Sequence, residues 1–213
     1  MKKEAISVEE MKKADRRAIE HYKIPSIVLM ENAALAFFDE VKDMSHKFTV
    51  ICSTGNNGGD GLAIARHLLL NNKDIKIYII GNMAKMSEDF KINFNILKKL
   101  NADIKILEEG NLKYLEKDLR ESVAIDSIFG TGLSRKVEGL YAQTINTIND
   151  FAKSTVAVDI ASGLNGDTGE VMGVCVEPEK TITFHRLKKG IELADLKHKG
   201  EVSIKYISIP DFE

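Results

Sequence analysis

Short runs of apolar and β-branched residues alternate with helical patterns along most of the chain, and this alternation most constrains the fold. The predicted strands are TVICS, IKIYII, DIKIL, VAIDSIF, TVAVDI, KTITF and EVSIKYISI. Helices are predicted near 61–71, 86–100, 111–119 and 139–152, after two N-terminal helices that run from Ser7 to about Tyr22 and from about Ile27 to Met44. Strands that alternate with helices pair in parallel, so the pattern predicts an α/β fold with a mostly parallel sheet. Near the C-terminus the helical pattern stops, which predicts strands at one edge of the sheet, with antiparallel pairing as an option.

The chain is long enough for one sizeable core, and no linker divides it. Of its 213 residues 44% are apolar, so a single domain over residues 1–213 is predicted. The formal charge of −2 argues against a nucleic-acid partner, and no apolar run is long enough to cross a membrane. The charged N-terminus lacks the apolar region of a signal sequence. We therefore expect a cytoplasmic protein that binds a small molecule, with Cys52 and Cys175 as buried apolar residues.

Three loops that follow predicted strands carry the polar residues of interest. They are GNNGGDG at 55–61, the segment AIDSIFGTGLSRK at 124–136 and the segment VAVDIASGLNGDTG at 156–169. In an open α/β sheet, ligands bind beyond the carboxyl ends of the strands. These loops therefore predict where the ligand site lies.

Two aspartates interrupt buried strands in these segments. Asp126 and Asp159 each follow an apolar run, where a carboxylate is costly unless it is paired, protonated or bound to a cation. One interpretation is that each only accepts N–H groups from its neighbouring loop. The other is that both join Asp60 in a functional constellation.

The glycine-rich loop fits neither common phosphate-binding template. A dinucleotide fingerprint beginning at Gly59 would need a small residue at Ile64, and a P-loop would need a Lys-Ser/Thr pair that is absent. Asn56 and Asn57 are also typical of turns. Beside the second loop, Arg135 and Lys136 are interpreted equally well as an exposed charged pair or as phosphate contacts. His67 is interpreted as a surface residue of the following helix.

Taken as a set, these motifs resemble the NAD(P)H-hydrate epimerase family, also called the YjeF N-terminal domain family. The likeness rests on NNGGDG, on DSIFGTGL, on VDIASGLNGDTG and on the tail TITFHRLKKGIELADLKHKGEVSIKYISIP. The resemblance implies a Rossmann-like three-layer αβα sandwich. It also implies epimerisation of the R and S forms of hydrated NADH or NADPH, called NAD(P)HX, so that a dehydratase, fused or separate, can restore the cofactor. A homodimer is implied as well.

The resemblance further implies roles for individual residues. Asn57, Asp126 and Ser162 match the ligands of one potassium ion per subunit, and oxygen donors suit such a hard cation. Asp159 matches the acid/base residue. The substrate-binding positions that carry over are Asn56, Asn57, Gly58, Gly59, Asp60, Gly130, Thr131, Gly132, Leu133, Ser134, Arg135, Lys136, Tyr141 and Asp159.

The chain departs from the family pattern at a few positions, and other functions compete. Ala161 and Leu187 replace common prolines, Asn165 replaces an aspartate, and Ala34 replaces a glycine. None of these changes removes a proposed ligand. The main alternative is a non-catalytic scaffold module that binds a nucleotide or RNA on the same fold. A Rossmann dehydrogenase is disfavoured because the fingerprint spacing does not fit.

Overall fold

The computed structural model describes residues 4–210. Its helices are α1 (Val8–Glu20), α2 (Ser26–Val41), α3 (Asn56–Leu70), α4 (Glu88–Lys99), α5 (Leu112–Leu119), α6 (Gly139–Phe151), α7 (Lys189–Leu193) and α8 (Leu196–Lys199). Its strands are β1 (Lys47–Ser53), β2 (Asp74–Ile80), β3 (Ile104–Ile106), β4 (Val123–Ser127), β5 (Ser154–Val158), β6 (Lys180–Phe184) and β7 (Glu201–Lys205). The domain predicted over 1–213 also includes residues 1–3 and 211–213, which lie outside the described residues.

The seven strands form one sheet in the order β3-β2-β1-β4-β5-β6-β7. Every neighbouring pair in this sheet is parallel. The predicted α/β class is confirmed, but the antiparallel option for the last strands is wrong. The short helices α7 and α8, which the sequence pattern did not predict, form the crossover that returns β7 parallel to β6.

Helices cover both faces of the sheet, so the fold has three layers. On one face, strand residues such as Val50 and Ile77 pack with α2, α3 and α4 through residues such as Phe37, Leu62 and Phe90. A second apolar cluster on the other face joins the sheet to α5, α6 and α7. None of the helices within residues 4–210 has the length and apolar character to cross a membrane.

The capping signal at the N-terminus is confirmed in detail. Ser7 Oγ accepts a hydrogen bond of 3.2 Å from Glu10 N, and Glu10 accepts one of 2.7 Å from Ser7 N. This reciprocal pair satisfies free N–H groups of the first turn of α1. It fixes where α1 begins, and therefore which of its side chains face the core.

The glycine-rich segment was predicted to be a loop, but in the structure it forms the first turns of a helix. α3 begins at Asn56, directly after Gly55. A Cβ at Gly58 would lie 1.7 Å from Ser53 O, and one at Gly61 would lie 1.9 Å from Ser127 Oγ. The glycines therefore allow α3 to pack directly on β1 and β4.

The chain reverses its direction across the sheet between β1 and β4. From β1 it proceeds outward through β2 to β3, and then returns to β4 on the other side of β1. The connections after β1 and β4 therefore diverge and leave a crevice at the carboxyl ends of these strands. Ligands of open α/β sheets bind at such switch points.

Candidate active site

A cleft of about 680 Å³ lies at this switch point. Many of the predicted site residues line it: Asn56, Asn57, Asp60, Gly130, Thr131, Gly132, Leu133, Ser134, Arg135 and Asp159. A smaller cavity of about 190 Å³ adjoins the cleft and shares Asp60 and Asp159 with it. The two cavities together suit an elongated ligand.

Asp159 lies one residue beyond the end of β5, and a buried lysine contacts its carboxyl. Its φ of 67° is in the left-handed region, which costs energy for a residue other than glycine and turns the side chain out of the strand direction. Asp159 Oδ1 forms an ion pair with Lys188 Nζ and accepts hydrogen bonds from Thr183 Oγ1 at 3.1 Å and Phe184 N at 3.2 Å.

Lys188 is 1% exposed and uses all three of its donors. Besides Asp159, its ammonium donates to Thr183 Oγ1 at 2.9 Å and to Phe184 O at 2.8 Å. A buried ammonium needs such complete pairing. The geometry therefore fixes Asp159 as a positioned carboxylate at the mouth of the smaller cavity.

Two more carboxyls, Asp15 on α1 and Asp60 on α3, line both cavities beside Asp159. Burial, and next the charge of Asp159, raise the pKa of Asp15 to about 6. Burial, and next Asp159 and Asp15, raise the pKa of Asp60 well above its ordinary value. We call Asp15, Asp60, Asp159 and Lys188 the acidic corner.

Asp126 and Ser162 join the connections after β4 and β5. Asp126 is fully buried; it accepts from Ser162 Oγ at 2.6 Å and Ser162 N at 2.8 Å, and from Ile128 N at 3.2 Å. Ser162 Oγ also accepts from Phe129 N at 2.8 Å. Burial raises the pKa of Asp126 to about 6, against the hydrogen bonds from Ser162. Asp126 thus accepts N–H groups from its own and a neighbouring loop, and also the hydroxyl of Ser162.

The residues around Asp126 fit a monovalent cation. Asn57 Nδ2 is buried and has no hydrogen-bond partner among residues 4–210, and reversing the amide would direct its oxygen to the same point. The Asn57 side chain lies beside Gly130, in the connection that Ser162 holds. An ionised carboxylate has about four acceptor sites, of which Asp126 uses three, so one remains for a ligand. Oxygen donors of this kind suit a hard cation.

The cleft also contains groups suited to an anion. No side chain of the described chain caps the N-terminus of α3, so the first N–H groups of this helix remain available, and its dipole favours negative charge. Lys12 and Arg135 line the same cleft. We call the N-terminus of α3 together with Arg135 the anion-binding end of the cleft.

Four of the predicted substrate-binding residues do not line the cleft. Gly58 and Gly59 are buried in the packing of α3. Lys136 and Tyr141 line a neighbouring pocket of about 180 Å³. Phe129 connects this pocket with the cleft, and its ring lies 4.9 Å from that of Tyr141.

Two other interpretations from the sequence can be compared with the structure. Cys52 and Cys175 are buried, as predicted. His67 is not a simple surface residue, because its Nε2 lies 2.8 Å from Glu31 Oε1 in a partly buried pair that joins α3 to α2.

Sequence reasoning missed Asp15 and Lys188. Asp15 had a detectable signal, because it lies among the buried Met11 and Ala18 on the apolar stripe of α1. Lys188 stands in the TFHRLK segment that contributed to the resemblance. No residue pattern indicated that its ammonium would reach Asp159, which is 29 positions away in sequence.

Comparison with protein families gives a match over residues 26–190 to the family described as YjeF-related protein N-terminus. An NAD(P)H-hydrate epimerase of Anaerococcus prevotii is 44% identical over 186 residues, which cover 85% of this chain and 84% of that protein. An NAD(P)H-hydrate epimerase of Limosilactobacillus fermentum is 38% identical over 198 residues and covers 90% of both chains.

A longer relative and a solved structure extend the comparison. The bifunctional NAD(P)H-hydrate repair enzyme Nnr of Thermofilum pendens is 35% identical over 208 residues, which make up 95% of this chain but only 40% of that protein. The crystal structure of yeast ynu0 superposes with a TM-score of 0.81 at 20% identity, over 96% of this chain and 88% of that one. The yeast structure supports the fold.

Proposed function

The chain belongs to the family described as YjeF-related protein N-terminus, and on that premise we propose that it is an NAD(P)H-hydrate epimerase. The reaction interconverts the R and S forms of hydrated NADH or NADPH. The observation that carries the proposal is the Asp159 carboxyl, held by the buried Lys188 where the cleft at the switch point meets the smaller cavity. The 44% identity to a relative named as this epimerase supports it.

The nucleotide part of the substrate binds at the anion-binding end of the cleft. Phosphate oxygens accept hydrogen bonds from the first N–H groups of α3, and Arg135 adds a charged donor. This arrangement directs the nicotinamide part toward the acidic corner. Gly130 and Gly132 also line the cleft.

Asp159 exchanges a proton with the substrate hydroxyl. The reacting carbon bears this hydroxyl and the ring nitrogen, so its configuration can change only if a bond breaks and reforms, with proton transfer at the oxygen. The ion pair with Lys188 and the hydrogen bond from Thr183 fix the carboxyl for this task.

Asn57, Asp126 and Ser162 would hold a potassium ion, one for each subunit. When bound, the ion supplies positive charge that offsets the phosphates and the buried carboxylate. The three residues order the connections after β1, β4 and β5, which line or support the nucleotide part of the cleft.

The potassium proposal predicts a dependence of activity on small monovalent cations. Replacing potassium by tetramethylammonium at constant ionic strength should weaken nucleotide binding and slow epimerisation, because an organic cation cannot take the oxygen ligands. Asp126→Ala should abolish this dependence. Equal activity and equal nucleotide affinity in both salts would contradict the proposal.

A direct assay tests the function. One purified epimer of hydrated NADH is incubated with the protein, and the appearance of the other epimer is followed by chromatography. Conversion well above the spontaneous rate is expected. A folded protein that binds NAD(P) nucleotides without converting either epimer would instead support the scaffold alternative.

The product would pass to an NAD(P)H-hydrate dehydratase. The name and length of the bifunctional relative, of which this chain matches 40%, support a functional link between the two activities. A homodimer and a cytoplasmic location are proposed on the family resemblance, and analytical ultracentrifugation tests the dimer.

A further inference from the structure

Helix α1 brings a carboxyl that the proposed function has not used into the site. Asp15 is partly buried and lines both the cleft and the adjoining cavity, as Asp159 does. No other residue within 4–210 forms a hydrogen bond or ion pair with the Asp15 carboxyl. The N-terminal segment is fastened here, because Val8 N donates to Asp167 Oδ1 at 2.7 Å and Ile6 pairs with Lys188.

The charged groups that face Asp15 are mostly acidic. Asp159 approaches from the end of β5 and Asp60 from α3, and Asp89 on α4 lines the smaller cavity. The cations are Lys188, which is already paired with Asp159, and the exposed Lys12 at the rim of the cleft. Asp15 therefore lies next to a like charge, without a partner of its own.

The reaction needs two proton-transfer groups. One group protonates the departing hydroxyl while the C–O bond breaks, which leaves water and a C=N⁺ bond formed with the lone pair of the ring nitrogen. Water then forms a new C–O bond on the other face and gives a proton to the second group. Overall, one proton moves from the first group to the second, and no oxidant or reductant is consumed.

Resting on the epimerase function proposed above, we propose that Asp15 is the second catalytic residue and shares one proton with Asp159. The ammonium of Lys188 contacts Asp159 and not Asp15, so at rest the proton lies on Asp15. Asp15 is then the acid and Asp159 the base, and the roles exchange in the reverse direction. Both directions use the same singly protonated pair, and water in the open cleft returns the proton.

Asp60 is less suited to this role. Burial, and next Asp159, Asp15 and Asp89, raise the pKa of Asp60 well above its ordinary value, which favours its neutral form, a hydrogen-bond donor. The pKa of Asp15, about 6, lies close to neutral pH, where a proton can be both given and recovered.

The test compares the pH dependence of kcat/KM for the full chain and three variants, with each epimer as substrate. In the unaltered protein, kcat/KM should fall above about pH 6, as Asp15 loses its proton. Asp15→Asn should lower kcat about 10²-fold with little change in KM, and should remove this alkaline fall. Glu20→Gln, which removes an exposed carboxyl from the same helix outside both cavities, should keep the rate and the profile. Asp60→Asn should keep the alkaline fall.

Several outcomes would overturn the pair. One is a folded Asp15→Asn protein that keeps its rate and its alkaline fall. A second is that the Asp60→Asn protein loses the fall of kcat/KM at high pH while the Asp15→Asn protein keeps it, which would assign the proton to Asp60. A ¹³C NMR titration of the unaltered protein that gives Asp15 an ordinary carboxyl pKa would also overturn it, whether or not the variants fold. If the unaltered protein converts neither epimer, the epimerase function itself fails, which is a separate result.

Discussion

The backbone at Asp159 determines how its carboxyl can be tested. Its φ of 67° is a conformation that asparagine and aspartate adopt at lower cost than other side chains. Asparagine also keeps the shape and an oxygen that can accept from Thr183 and Phe184. Substitution by asparagine therefore removes the proton transfer with little change of the loop.

Asp159→Asn should reduce epimerisation by about 10²-fold or more, the usual scale for a positioned acid/base group. Nucleotide affinity should survive, because the change leaves the proposed phosphate contacts, the N-terminus of α3 and Arg135, unaltered. The measurement is kcat by chromatography, together with calorimetric titration of NAD⁺. Near-normal turnover would refute the assignment, and loss of binding together with turnover would indicate a structural carboxylate.

Lys188→Met should destabilise the protein by about 3 kcal/mol, because it leaves a mostly buried carboxylate without its cation. It should also move the pH–rate profile to higher pH, because three carboxyls then face one another without an ammonium in contact. Lys189→Met is the matched control, since Lys189 is half-exposed and its nearest carboxylate oxygen, on Glu10, is 3.8 Å away. A Lys188→Met protein with an unchanged profile would show that the lysine only stabilises the fold.

At the scale of elements, the glycine-rich start of α3 serves both packing and anion binding. Its glycines permit close packing on β1 and β4, and its uncapped N-terminus provides donors for an anion. Clustered glycine and asparagine are typical of turns, which is why the segment was predicted as a loop. The tertiary packing that favours a helix there depends on Ser53 and Ser127, which belong to other elements.

Gly58→Ala should lower the free energy of unfolding by about 3 kcal/mol. The added Cβ would meet Ser53 O at 1.7 Å, and this overpacking outweighs the gain in helix propensity of about 1 kcal/mol. Gly110→Ala is the control, because a Cβ there meets nothing within 4 Å. Urea unfolding measures both; equal stability of the two variants would contradict the packing argument.

At the scale of the whole molecule, the order of the strands in the sheet could not be predicted from the sequence pattern. Periodicity predicted the seven strands and most helices within a few residues, and so indicated which loops follow strands. The placement of β4 next to β1, which brings the Asp126 and Asn57 loops together, depends on long-range packing. The pairing of Ile6, just before α1, with Lys188 has the same origin. The position of Asp15 in the site was therefore not predicted.

The acidic corner should make stability depend on pH with an unusual sign. The pKa of Asp15 is about 6 in the folded protein and 3.8 for the free side chain. Protonated Asp15 therefore contributes to the stability of the folded protein fully below about pH 4, and this contribution is lost as pH rises through about 6. The free energy of unfolding of Asp15→Asn, relative to that of the unaltered protein, should therefore be about 2 kcal/mol higher at pH 8 than at pH 4. This value is reduced for the partial exposure of Asp15. Urea unfolding at both pH values measures it, and a pH-independent difference would contradict the expectation.

The distance in sequence between Asp15 and Lys188 has a consequence for synthesis. Ile6 N donates to Leu187 O at 2.8 Å and Lys189 N donates to Ile6 O at 2.9 Å, so the first helix docks on a segment translated late. While the ribosome is still adding β6 and its neighbours, a nascent chain can pair β1 through β5 but cannot assemble the corner. The carboxyls of Asp15 and Asp159 therefore meet their ammonium only after the Lys188 segment has emerged, so the acidic corner forms after strands β1 through β5 have been made.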